Sequence, residues 1–310
     1  MSTNITENPF ANCSGITPEC PVYYSPLTYQ PSLVANFVYL IIFIICALVS
    51  LVLGIRFRTW SYMIGTVCGS VLELLGYLAR VKLHSDPWDS GAFTLQIITL
   101  IIAPAFLSAS IYLTLKHVVL TFGREFSILK PALYTWIFVA MDIISLLVQA
   151  GGAAIFGSKS TDIKVLQAGA DIALAGIILQ VVSLATFGCL ASLYLFRLNK
   201  HWNTITPQAR AIGQSTRTHI FVAAIVIAYL TILVRCIYRI PELAGGYRNE
   251  VYMNQTEFII LEGVMISIAA IMLSFCHPGF FFPMLSGHER RKQERANASS
   301  EQYIELAGKR

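Results

Sequence analysis

The chain has 310 residues, 55% of them hydrophobic and 13% charged, with a formal net charge of +5. With a mean hydropathy of +0.64, this composition excludes an ordinary soluble domain and marks a polytopic membrane protein. The positive excess sits in short connections and a tail rather than on one broad face, so nucleic acid is not an implied partner.

In chain order, residues 1–32 read as an extracytoplasmic N-terminal segment without Lys or Arg. It carries two glycosylation sequons, at Asn4 and Asn12. Of the seven cysteines only Cys13 and Cys20 lie in it, and an oxidising compartment permits them to form a disulfide, a free pair being the alternative. Seven apolar runs follow, at 33–55, 61–81, 93–116, 131–156, 170–196, 217–240 and 257–282. Each is long enough to cross a hydrocarbon core of roughly 30 Å. The expectation is an all-α seven-helix bundle over 33–282, with connections too short to hold a soluble catalytic domain. The first run is too long for a signal-peptide core and is expected to be retained. Residues 283–310 form a basic tail, and its ERRKQER stretch at 289–295 reads as a topology anchor, contact with anionic membrane lipids being the other reading.

Basic residues set the orientation. Fifteen of the 22 Lys and Arg, from Arg56 and Arg58 to Lys309 and Arg310, fall in the odd-numbered connections and the tail. Only Lys82, Lys159, Lys164 and Arg248 lie on the other side. Basic loops stay cytoplasmic, which predicts an outside N-terminus and a cytoplasmic C-terminus. A third sequon, Asn254-Gln255-Thr256, then also lies outside.

Three basic residues remain inside or at the ends of the runs: Arg80, Arg235 and Arg239. Glu73 and Arg80, and Arg235 and Glu242, are each seven residues apart, two helical turns on one face. A charge at the centre of a membrane helix costs about 2.5–3.5 kcal/mol, so such residues face the bundle interior. Counting depth along each run puts Glu73 and Asp142 near mid-membrane. Arg80, Gln149, Arg235, Arg239, Gln96, Gln180, Glu257 and Glu262 fall in the outer half, where Asn36 joins them. The simplest common setting is a polar, nearly charge-balanced cavity open toward the outer leaflet. Ion pairs that merely fix packing are the alternative. In a wet cavity, Arg235→Ala and Glu73→Ala would both reach the membrane and lose function.

The blocks PSLVAN (31–36), ELLGYLAR (73–80), QIITLIIAPAFLSASIY (96–112), DIISLLVQAGGA (142–153), AGIILQ (175–180), RCIYRIPELAGG (235–246) and HPG (277–279) occur in an order that resembles the fungal lipid-translocating exporter family. These are RTA-like seven-helix proteins linked to sphingoid long-chain base and aminocholesterol resistance. The resemblance implies a multi-pass plasma-membrane protein that exports sphingoid long-chain bases or moves them across the bilayer, and admits a sterol-like compound or porphyrin as substrate instead. It carries over Asn36, Glu73, Arg80, Gln96, Asp142, Gln149, Gln180, Arg235, Arg239 and Glu242 as motif positions. It leaves open a lipid sensor or receptor that regulates other transporters.

A sphingoid base has an ammonium head and a long alkyl chain, so Glu73, Asp142 and Glu262 are the candidate partners of its charge, with Arg235 and Arg239 balancing them when the site is empty or binding phosphate on a different lipid. Pro104 and the Gly151-Gly152 pair would relax the third and fourth helices, and neighbouring small residues allow close packing. No phosphate-binding GxxxxGK[ST] loop is present, which argues against ATP hydrolysis. The seventh run lacks a Lys and so cannot hold retinal. The six histidines are not paired within any run, which argues against an intramembrane metalloenzyme and leaves no cofactor expected.

Overall fold

The computed structural model describes residues 20–156, 163–244 and 254–281. Asn4, Asn12, Cys13 and the tail 283–310 lie outside the described residues. Seven described helices are long and apolar enough to cross a membrane. They are α1 (Leu33–Phe57), α2 (Trp60–Ser85), α3 (Ser90–Phe122), α4 (Pro131–Phe156), α5 (Ile163–Lys200), α7 (Thr216–Ala244) and α8 (Gln255–Phe275). Two short helices lie between and after them: α6 (Pro207–Gly213) and α9 (Pro278–Phe281).

Local chemistry explains most helix ends. Ser32 caps α1 by accepting the Ala35 N–H, and Asp89 caps α3 by accepting that of Ala92 at 2.9 Å. Asn254 caps α8 through the Thr256 and Glu257 N–H groups. Thr206 caps α6, with Pro207 in its first turn. Between α1 and α2 the chain reverses over Arg58 and Thr59. Arg58 takes the left-handed conformation at φ 55° and returns its N–H to the Gly54 and Ile55 carbonyls. A side chain on Gly54 would overlap Met63, so glycine is what lets the two helices meet so closely.

Helices α3 and α5 run to 33 and 38 residues, beyond the apolar runs 93–116 and 170–196. A membrane span needs only about 20 residues. Their extra turns are polar at one or both ends and continue the backbone hydrogen-bond ladder past the apolar stretch. Helix α7 likewise continues through Pro241 to Ala244, although proline ends the apolar run at 240.

Each helix packs on its chain neighbours, and α8 closes the ring by packing on both α7 and α1. Helix α3 is the central one, touching α2, α4, α7 and α8. The core is rich in aromatics, among them Phe43, Tyr77, Tyr112, Phe138, Phe187 and Phe221. The outward faces of α1, α4 and α5 carry Val34, Val52, Trp136, Leu147 and Phe196, an apolar belt suited to lipid and unsuited to water. At one end of the bundle His277 is buried behind the α1–α2 turn. Its Nδ1 accepts the Gly279 N–H at 3.1 Å, so its Nε2 carries the proton toward Thr59 Oγ1 at 3.2 Å. Burial lowers its pKa from 6.5 to about 4, which keeps the ring neutral.

Candidate functional site: a buried ionic chain

The buried stripe of α7 changes character along its length. Phe221, Ala224, Ala228 and Ile232 are followed on the same face by Arg235 and Glu242. The Arg235 side chain, only 2% exposed, is drawn across the bundle by a defect in α3. Pro104 has no N–H to give the Leu100 carbonyl four residues earlier, and Arg235 Nη2 donates to that carbonyl at 2.6 Å. The same nitrogen binds the Glu262 carboxylate and lies 3.5 Å from Glu73 Oε1. Glu262 Oε1 also receives Arg239 Nη2 at 2.6 Å, and Arg239 Nη1 stands 3.3 Å from Glu242 Oε2. The result is a continuous chain, Glu73–Arg235–Glu262–Arg239–Glu242, spanning α2, α7 and α8.

Glu262 reaches this position from an irregular segment. Residues Phe258–Val264 of α8 form a π-helical turn, a feature that tends to occur at functional sites. Widening the helix disturbs its carbonyl ladder, and Tyr39 of α1 donates its hydroxyl to the Ile259 carbonyl at 2.8 Å. A side chain on Gly263 would overlap the Tyr39 ring.

The chain holds three carboxylates against two guanidiniums, and its ends differ. Neither oxygen of Glu73, which is 0% exposed, receives a hydrogen bond among the described residues. On the same face of α2, the Ser70 and Tyr77 hydroxyls are also buried without hydrogen-bond partners among the described residues, as is Gln96 Oε1 on α3. A buried polar group left in this condition costs about 1–3 kcal/mol. These groups retain hydrogen-bonding capacity that a polar ligand can take up.

The other candidate residues fall into three further contacts. Arg80 donates to Asn36 Oδ1 at 3.3 Å and to the Tyr29 hydroxyl at 3.1 Å, and its guanidinium lies 3.9 Å from the Phe258 ring centroid, a cation–π arrangement. Asp142 on α4 accepts from Tyr112 at 3.1 Å and Ser108 at 3.4 Å, both on α3. Gln149 donates to Gln180 at 3.1 Å, joining α4 to α5. The structure therefore gathers Glu73, Arg235, Arg239, Glu242 and Glu262 in one network. It sets Asn36 with Arg80 beside it and places Asp142 and the glutamine pair in separate contacts. Glu257 turns to the helix cap, receiving Asn254 Nδ2 at 2.9 Å.

The two seven-residue spacings do not become ion pairs. Arg235 turns to α3 and α8 because the orphaned Leu100 carbonyl and Glu262 lie there, and Glu242 pairs with Arg239 one turn away. Sequence reasoning also passed over Tyr39, Tyr77, Tyr112 and Phe258. For the three tyrosines the signal was faint, a hydroxyl where an apolar run would take Phe or Leu, and Phe258 in an apolar run gave none. Cys20 takes part in a disulfide.

Fold and contacts together define a polytopic helical membrane protein with a buried chain of ion pairs between its helices. Residues 66–284 match the family described as RTA1 like protein, and the chain belongs to that family. It is 33% identical over 271 residues to the sphingoid long-chain base transporter RSB1 of Saccharomyces cerevisiae, covering 76% of this chain and 71% of that one. Protein RTA1 of the same yeast is 26% identical over 213 residues, 68% of this chain and 64% of the other. Protein RTM1 is 25% identical over 215 residues, 69% and 66% of the two chains. No solved structure matches the chain.

Proposed function

We propose that this protein moves sphingoid long-chain bases across the plasma membrane and so confers resistance to them, acting without covalent chemistry. The family and the RSB1 relative support a role connected with lipid transport; the choice of substrate rests on the site. The observation that carries it is the Glu73 carboxylate, buried in a membrane helix with neither oxygen hydrogen-bonded among the described residues and Arg235 Nη2 3.5 Å from Oε1. An ammonium group offers three N–H donors and a full charge. It would occupy the free side of Glu73 while Arg235 holds the other. The hydroxyls of the headgroup would meet Tyr77, Ser70 and Gln96. A phosphate or neutral sterol head gains less from that carboxylate.

Orientation follows the distribution of basic residues, with the N-terminus outside, sugars on Asn4 and Asn12, and the 283–310 tail on the anionic cytoplasmic leaflet. The ionic chain then lies in the outer half of the bilayer. The test is reconstitution of purified protein in phosphatidylcholine liposomes, with transbilayer movement of sphinganine measured beside a phospholipid and a porphyrin. Movement of sphinganine alone supports the proposal. Saturable binding without movement would assign the chain to lipid sensing instead.

A further inference from the structure

The seam between α1 and α8 does not close completely. A groove of about 390 Å³ lies between them, within the roughly 300–1,000 Å³ typical of ligand sites. Its walls are Val38, Ile42, Val264 and Ile271, with Tyr39 and Ser267 as the polar groups among its lining residues. Two observations connect this apolar groove to the ionic chain. Ser267 is 4% exposed, and its hydroxyl has no hydrogen-bond partner among the described residues, so a polar group faces an otherwise hydrocarbon-like slot. The Tyr39 ring lies 4.9 Å from that of Tyr77, one turn along α2 from Glu73, and rests on Gly263, the residue after Glu262. Tyr39, on the groove wall, thus contacts Tyr77, which stands one turn along α2 from the Glu73 carboxylate.

We propose that this seam is a lateral portal for a single-chain amphiphile with an ammonium head: the alkyl chain lies in the α1–α8 groove, the head reaches Glu73, and Tyr39 is the gate. The inference rests on the function proposed above and adds the route. Tyr39 suits the gate because its hydroxyl is fastened to the Ile259 carbonyl in the π-helical turn, and release of that bond removes the one polar tie, among the described residues, of a ring otherwise held by packing on Tyr77 and Gly263. Charge selects the occupant. Behind the gate the groups without hydrogen-bond partners among the described residues include Arg80 Nη1 and Arg235 Nε as well as Glu262 Oε2 and both oxygens of Glu73, and it is the Glu73 carboxylate that attracts an ammonium. The groove offers one slot between two helices, which fits one alkyl chain and leaves its remainder in the bilayer.

The experiment uses the full chain in phosphatidylcholine liposomes and a sphinganine carrying a diazirine in its alkyl chain and an alkyne for capture. After illumination, the label is expected in the peptides that contain 35–42 and 264–271, and excess sphinganine should compete while added phosphatidylcholine does not. Val38→Trp, which fills the seam, should slow sphinganine movement at least about tenfold, a loss read directly as rate. Val52→Trp, on the same helix but outside the groove lining, should leave the rate unchanged. Tyr39→Phe keeps the ring and removes the latch, so its initial rate should rise up to about fivefold. Competed label confined to other helices, with transport intact, would overturn the portal and leave the proposed function standing. Neither label nor transport in the unaltered chain would overturn both. Label at the seam displaced by phosphatidylcholine, with Val38→Trp as fast as the unaltered chain, would make the groove an ordinary lipid contact and also defeat the portal.

Discussion

Replacing Arg235 by Ala removes three contacts at once, to the Leu100 carbonyl, Glu262 and Glu73, and their separate costs can be traced. Glu262 keeps Arg239 at 2.6 Å, but Glu73 loses the cation nearest to it and the Leu100 carbonyl loses its donor. Breaking a buried ion pair from one side costs about 3–5 kcal/mol. Orphaning a buried carbonyl adds about 1–3 kcal/mol. A loss of about 4–8 kcal/mol is comparable to the whole stability of many proteins, so Arg235→Ala should accumulate poorly and melt early in detergent. The carbonyl part can be recovered by a distant change. Pro104→Ala restores a backbone N–H able to bond Leu100 within α3. The double variant Pro104→Ala/Arg235→Ala should therefore be more stable than Arg235→Ala by about 1–3 kcal/mol. Thermal unfolding of the four purified proteins provides the cycle. Equal melting of Arg235→Ala and the unaltered chain, or no recovery in the double variant, would refute the account of Arg235 as the donor that repairs the proline defect.

Three further outcomes are expected. His277 is buried neutral with its pKa lowered to about 4 from 6.5, so the unfolded chain binds a proton between those values that the native chain does not. Its contribution is complete above pH 6.5 and is lost as pH falls toward 4, on the order of 3 kcal/mol in all; His277→Gln should flatten melting temperature over that window, and an unchanged pH profile would count against the buried neutral ring. Cys13 and Cys20 are expected to share one disulfide, so thiol labelling of either in unreduced protein would reject the pairing. An epitope after Met1 should be accessible on intact cells and one after Arg310 should not; the same accessibility at both ends would reject the orientation.

Much of the architecture was legible because it follows from apolar length: seven runs became seven helices. The gathering of Arg235, Arg239, Glu242, Glu73 and Glu262 was legible for the same reason, since charges in apolar runs have only the bundle interior to occupy. Which carboxylate meets which arginine was not. Intrahelical spacing suggested Arg235 with Glu242, whereas the decisive term is an α3 carbonyl freed by Pro104, visible only once α3 and α7 are adjacent. The wet-cavity reading treated Arg235 and Glu73 alike. The contacts separate them, with Arg235 bound on several sides and neither Glu73 oxygen hydrogen-bonded among the described residues. The π-helical turn at Phe258–Val264 leaves no periodic trace in so short an apolar segment. The sixth apolar run ends at 240, whereas α7 continues through Pro241 to Ala244, since a proline in the last turn removes only one backbone N–H.

In the proposed function the Glu73 carboxylate receives the ammonium head of the transported base. Glu73→Gln keeps the size and removes the charge, and Arg235 retains Glu262 and the Leu100 carbonyl as partners, so the variant should fold and reconstitute normally. The measurement is sphinganine translocation in liposomes by equal amounts of the unaltered chain and Glu73→Gln. Loss of one buried charge-assisted contact, about 1.5–3 kcal/mol, predicts a rate about tenfold to a hundredfold lower. Sphinganine movement by Glu73→Gln at the unaltered rate would contradict the assignment.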